Sequence, residues 1–195
     1  MKKKTFFTPQ NMALIGVMTA MGTVIYMVFP EVSLVPGVEY LKIDFSDIPA
    51  ILVGIAVHPL CGVLVEVFKN FIHVFKTSTY GIGELMNVGI GSAVVMSLWG
   101  GMKLFSFLFK KDRWHPLCYF ASAVLTVAVA IPCGWLLNLA LTPLFYAFAR
   151  KALTPELLIA GVLGSTALNA VKAAINVLPF YPLYYAMAKL VKTSR

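Results

Sequence analysis

The stretch Leu41-Lys-Ile-Asp-Phe-Ser-Asp-Ile-Pro-Ala50 places Lys42, Asp44 and Asp47 within six residues, then runs directly into the unbroken apolar segment 51–57. A charged side chain is costly in hydrocarbon, so this block must lie at a membrane edge or inside a protein cavity. Asp47 ahead of Ile48-Pro49 also has the form of a helix start, with an acidic N-cap followed by proline in the first turn. The stretch is therefore a connection that feeds a membrane helix. Leu41, Ile43 and Phe45 alternate with Lys42 and Asp44, which in extended chain predicts an apolar edge inward and a charged edge to water. On this reading Leu41 and Ile43 help cover a ligand, while Asp44 and Asp47 fix the ends of an outer loop through backbone hydrogen bonds.

The surrounding chain fits a membrane setting. Of its 195 residues 59% are hydrophobic and 12% charged, against about 25% charged in soluble domains. The composition is that of an all-α integral membrane protein. At ~20 residues per crossing, the length accommodates six transmembrane helices in a single domain, 1–195, with spans expected at 11–30, 47–57, 62–75, 84–109, 115–149 and 157–188. The short second and third spans form a hairpin turning at His58-Pro59-Leu60, and Pro179 and Pro182 bend the end of the sixth. Lys2-Lys3-Lys4 leads into a first span that reads as permanent, so no cleavable signal peptide is expected.

Charge asymmetry sets the orientation. Ten lysines and arginines fall on the side holding the termini and the fourth-to-fifth turn, four on the other, so both termini are expected in the cytoplasm and the opening stretch outside. The net charge of +8 is gathered at segment ends. This pattern suits contact with the lipid bilayer and its anionic headgroups, not nucleic acid. Cys61, Cys118 and Cys133 show no metal-ligand spacing and read as packing residues. The glycines of Lys76-Thr-Ser-Thr-Tyr-Gly-Ile-Gly83 lack the Lys-Ser/Thr ending of a phosphate loop. No ATP-binding motif, nucleophile motif or metal pair is visible, so an enzyme is not expected, nor is a bound cofactor. Glu66, Lys69 and His73 share a helical face, where they can neutralise one another. Structural roles are expected for His58, His73 and His115.

Polar residues recur on the later spans. Ser165, Asn169, Lys172 and Asn176, spaced four, three and four, form one stripe on the sixth. A lysine in mid-span carries an insertion cost of about 2.5–3.5 kcal/mol and faces a cavity or a counter-charge. Trp135, Asn138 and Thr142 form a second stripe on the fifth span. Asn138 and Asn169, equidistant from the loop centre between Leu153 and Thr154, are expected at similar depth. With Glu84 and Asn87 at the start of the fourth span, these groups supply donors and acceptors to one outward space with apolar walls, as a polar-edged small molecule needs. The alternative is that they only knit helices together, for which interhelical polar bonds are a weak reason. On the first span Ala13, Gly16 and Ala20 share a face of small residues, suited either to internal packing or to a partner helix.

The blocks Leu41–Ala50, Val65-Glu-Val-Phe-Lys-Asn70 and Gly81-Ile-Gly-Glu-Leu-Met-Asn87 resemble the riboflavin-specific substrate-binding subunit, or S component, of energy-coupling factor (ECF) transporters. The resemblance covers nearly the whole chain. It implies a six-helix membrane subunit that captures riboflavin as transported ligand and delivers it with a transmembrane coupling subunit and two ATP-binding cassette ATPases. It also implies that the ribityl chain is held by Glu84, Asn138, Asn169 and Lys172. Docking to the coupling subunit would then use Gly16-x-x-x-Ala20 with Ala13. Rival readings are an S component for folate, pantothenate or a queuosine precursor, and a solitary secondary transporter, whose matched broken helices are not visible.

Overall fold

The computed structural model describes residues 8–28, 32–33, 42–77 and 79–193. Seven α-helices follow in order: α1 (Pro9–Val28), α2 (Ile48–Ala56), α3 (Pro59–His73), α4 (Ile82–Phe109), α5 (Pro116–Phe148), α6 (Pro155–Val177) and α7 (Tyr181–Thr193). Between α1 and α2 a two-residue antiparallel pair joins β1 (Val32–Ser33) to β2 (Lys42–Ile43), with Val32 opposite Ile43. The described chain is otherwise helix and turn, in keeping with the all-α expectation. Among the described residues four helical stretches are long and apolar enough to cross a membrane: Pro9–Val28, Ile82–Phe109, Pro116–Phe148 and Pro155–Met187. The last of these joins α6 to α7 through one turn of 3-10 helix, Leu178–Phe180.

Four helices begin with a side-chain cap followed by proline. Thr8, His58, His115 and Thr154 accept from the N–H groups of Asn11, Leu60, Leu117 and Leu157 at 3.2, 3.3, 3.2 and 3.3 Å, ahead of Pro9, Pro59, Pro116 and Pro155. Each satisfies an amide the helix leaves unpaired, and the proline has none to lose. The break between α6 and α7 is clasped by hydroxyls. Tyr119 and Tyr184 donate to the carbonyls of Val177 and Asn176, each at 2.7 Å, at a break flanked by Pro179 and Pro182, which carry no N–H to continue the helical ladder.

α2 sits at the centre. Eight of its nine residues, Pro49 to Ala56, are buried, which is how a short helix apolar on every side comes to rest. α3 crosses it backbone to backbone: a Cβ on Gly62 would meet the Ala50 carbonyl oxygen at 2.5 Å and the Gly54 Cα at 3.0 Å. The core continues through Val94, Val95 and Leu98 of α4 and Tyr119, Ala123 and Ala130 of α5. α1 contributes Ile15 and Met18. This arrangement brings the loop ahead of α2 into the bundle, against α3 and α6.

Candidate functional site

Asp44 and Asp47 lie in the bundle, facing two lysines. Lys172 Nζ of α6 stands 2.9 Å from Asp44 Oδ2 and 3.2 Å from Asp47 Oδ2. Lys69 Nζ of α3 stands 2.6 Å from Asp47 Oδ1 and 2.8 Å from Glu66 Oε2. All five side chains are buried. A buried lysine is tolerated only with a counter-charge, and Asp47 supplies one to both. Glycines make the room: a Cβ on Gly91 of α4 would meet the Glu66 carboxyl carbon at 2.5 Å, and one on Gly22 of α1 would meet Lys69 Cδ at 3.2 Å.

Amides extend the cluster. Lys172 Nζ donates to Asn87 Oδ1 at 2.5 Å, Asn87 Nδ2 donates to Asn70 Oδ1 at 3.0 Å, and Asn70 Nδ2 donates to the Glu66 carbonyl at 2.8 Å. Asn176 Nδ2 donates to the Asp44 carbonyl at 3.1 Å. Asp44 Oδ1 accepts from the Ser46 N–H at 2.8 Å and from its hydroxyl. Burial alone pushes the Asp44 carboxyl up, but the Lys172 and Lys69 ammonium groups and Ser46 more than offset it and hold it well below the usual carboxylate range.

One turn from Asn87 along α4, Glu84 is buried with both oxygens engaged. Oε1 lies 2.9 Å from His73 Nδ1, and Oε2 lies 2.8 and 3.1 Å from the Thr77 and Thr79 hydroxyls. α5 and α6 meet farther along. Asn138 Nδ2 donates to the Gly134 carbonyl at 2.9 Å, Trp135 Nε1 donates to Thr166 at 2.7 Å, and the Asn169 amide lies where a Gly134 Cβ would be. The arrangement is a buried, internally paired polar seam between apolar helices. It offers hydrogen bonds and charge to a ligand rather than a nucleophile.

A profile of the family described as "ECF transporter, substrate-specific component" matches residues 10–184. The chain belongs to this family. With its apolar helices, it is an S component and a multi-pass membrane transport protein. This S component is similar to "Riboflavin transporter FmnP" of Bacillus subtilis (strain 168), at 38% identity over 80 residues, 39% of this chain and 38% of that protein. The matched stretch thus spans well under half of that relative. It is also similar to "Riboflavin transporter RibU" of Staphylococcus aureus (strain TCH60), at 23% identity over 154 residues, 78% of each chain. A solved structure described as "Structure and mechanism of the S component of a bacterial ECF transporter" matches with a TM-score of 0.73 at 20% identity, over 94% of this chain and 98% of that one. That likeness shows the fold.

Within the S component the expected site residues fall into three places. Glu84, Asn87, Asp44, Asp47 and Lys172 gather around α3, α4 and α6; Asn138 and Asn169 lie on the α5–α6 seam; Ala13, Gly16 and Ala20 stand on an exposed face of α1. Leu41 lies outside the described residues, and Ile43 is described through its backbone alone. Three expectations change. The Asp44 side chain turns inward and Phe45 outward, at 6% and 42% exposure, because the buried lysines need the carboxylate more than water does. Asp47 occupies the N-cap position of α2 but makes no capping hydrogen bond; Lys69 and Lys172 take its oxygens. Asn169 packs one helical turn away from Asn138, on Gly134. The sequence reading missed Asn70 and the bond from His73 to Glu84. The signal for both was a matched pair of stripes, Glu66, Asn70 and His73 on α3 against Glu84, Asn87 and the small Gly91 on α4.

Proposed function

We propose that this S component binds riboflavin at the outer side of the bacterial cell membrane, with both termini in the cytoplasm. It then delivers the vitamin with an ECF transmembrane coupling subunit and two ATP-binding cassette ATPases. The observation that carries the reading is the line from Glu84 through Asn87 to Lys172, where Lys172 Nζ and Asn87 Oδ1 stand 2.5 Å apart. Alternating acceptors and donors along a helix suit the successive hydroxyls of a ribityl chain, and apolar helices on either side suit a flat ring system. Asn138 and Asn169 extend the polar line along α5 and α6. The names of the two riboflavin transporter relatives support the same ligand. Docking of the coupling subunit falls to the α1 face of Ala13, Gly16 and Ala20, where a Cβ on Gly16 would meet nothing within 4 Å.

The purified protein tests this through its visible absorbance and a fluorescence titration with riboflavin. A co-purifying flavin, displaced by added riboflavin but not by folate, pantothenate or a queuosine precursor, is the expected result. A colourless protein that binds one of the competitors would replace riboflavin as ligand. Uptake into cells should require the coupling subunit and ATPases; uptake by the subunit alone would make it a solitary secondary transporter.

A further inference from the structure

His73 and Glu84 meet at the paired ends of α3 and α4, both buried, with Nδ1 2.9 Å from Oε1. An ionised carboxylate only accepts, so Nδ1 carries the hydrogen and donates it. The imidazole is fixed by its face as well as its edge. The Tyr26 ring of α1 lies stacked on it, 3.7 Å between centroids and 12° from parallel. On the other carboxylate oxygen, the Thr77 and Thr79 hydroxyls stand at 2.8 and 3.1 Å. Thr79 is itself held by the Gly83 N–H at 3.1 Å. A carboxylate has about four lone-pair positions. Among the described side chains these three are its partners, and His73 alone is on Oε1, which leaves acceptor capacity on that oxygen.

We infer that His73 is a positioning residue for the polar end of the ligand, fixing the Glu84 carboxylate so that its remaining acceptor position serves one ribityl hydroxyl. This rests on the riboflavin reading above. A glutamate free to rotate must lose rotamer freedom when it binds, and that ordering reduces affinity; a carboxylate already fixed by imidazole and hydroxyls avoids the loss. The ring stack gives His73 a second constraint that a purely electrostatic partner would lack. The arrangement confers specificity for the chain rather than the ring, because the acceptor that Glu84 holds is taken by a ribityl hydroxyl.

The test uses the full-length purified protein, titrated with riboflavin and with lumiflavin, which has the ring but no ribityl chain. His73→Phe keeps a ring against Tyr26 and removes the donor; His73→Asn keeps a donor close to the Nδ1 position. His73→Phe should weaken riboflavin binding by about tenfold, the loss of a hydrogen bond to a charged group, and leave lumiflavin binding unchanged. His73→Asn should restore most of the riboflavin affinity. On a Glu84→Gln background, His73→Phe should add no further loss; this cycle decides alone if lumiflavin binds too weakly to titrate. A wild-type riboflavin affinity in His73→Phe overturns the inference. So does an equal loss for both flavins, or a full loss persisting on the Glu84→Gln background. A wild-type protein that bound neither flavin would overturn the riboflavin reading and this inference with it. Riboflavin binding by wild type with His73→Phe unaffected overturns the inference alone.

Discussion

Lys172 on α6 and Asp44 ahead of α2, 128 residues apart in the chain, meet at 2.9 Å with both side chains buried. Asp47 stands 3.2 Å from the same ammonium and 2.6 Å from Lys69. The two aspartates thereby tie the α1–α2 connection to α3 and α6 as one electrostatic unit. Among the described residues Asp44, Asp47 and Glu66 share two cations, Lys69 and Lys172, so the cations are the scarcer partners.

That scarcity predicts an order of stabilities. Lys172→Met removes the only ion pair Asp44 makes among the described residues, leaving it the Ser46 donors. Removing one partner of a buried pair costs ~3–5 kcal/mol. Asp44→Asn leaves Lys172 with Asp47 at 3.2 Å and should cost less. Unfolding of the two variants in one detergent checks this; a less stable Asp44→Asn would mean that the cluster is not short of positive charge.

Gly91 and Gly100 sit on the same helix with opposite surroundings. A Cβ at Gly91 would meet the Glu66 carboxyl carbon at 2.5 Å, whereas one at Gly100 would meet nothing within 4 Å. Gly91→Ala should therefore destabilise by ~1–3 kcal/mol through overpacking. Gly100→Ala should be neutral or gain up to about 1 kcal/mol from helix propensity. Melting temperatures of the pair decide it: equal shifts would show that Glu66 swings aside at no cost.

The α3–α4 register was open to reading from the sequence. Glu66 lies against Gly91, Asn70 bonds Asn87 and His73 bonds Glu84, and every pair is equidistant from the point between residues 78 and 79. The same reasoning applied to α5 and α6 set Asn138 beside Asn169 and was one turn out. α5 ends at Phe148 and α6 begins at Pro155, so the midpoint lies between residues 151 and 152. A shift of two residues in a loop centre moves a register by a full turn, and helix ends are the least legible part of a sequence. Asp47 was misread for a different reason. A capping hydrogen bond contributes ~1 kcal/mol, less than leaving a buried lysine uncompensated, and nothing local to Asp47 announces Lys172. The helical class, by contrast, followed from the apolar composition together with the length of the apolar runs.

On the proposed function, the exposed α1 face should separate transport from binding. Ala13, Gly16 and Ala20 are exposed, while the buried face of α1 carries Asn11, Ile15, Met18, Thr19, Gly22 and Thr23. Gly16→Leu has space for its side chain and should leave riboflavin affinity intact. Close helix approach depends on small residues, so uptake through the full transporter should fall. Normal uptake by Gly16→Leu in cells carrying the coupling module would remove this face from docking.

Gly134 and Asn169 should act on the ligand as one unit. Asn169 is buried, and its amide occupies the space above Gly134 where a Cβ would stand. Asn169→Ala removes a hydrogen-bonding group without stranding a charge, so the fold should hold. If that amide serves a ribityl hydroxyl, the loss is ~1 kcal/mol, or about a fivefold weaker riboflavin affinity. Gly134→Ala leaves the amide in place chemically but forces it out of position, and should weaken binding by a similar factor. The double variant should bind like either single variant, because both disturb the same contact. Riboflavin titrations of the three proteins, with lumiflavin as the chain-free control, read this out. Additive losses, or a Gly134→Ala protein of wild-type affinity, would take Asn169 out of the site and leave the α5–α6 seam as packing.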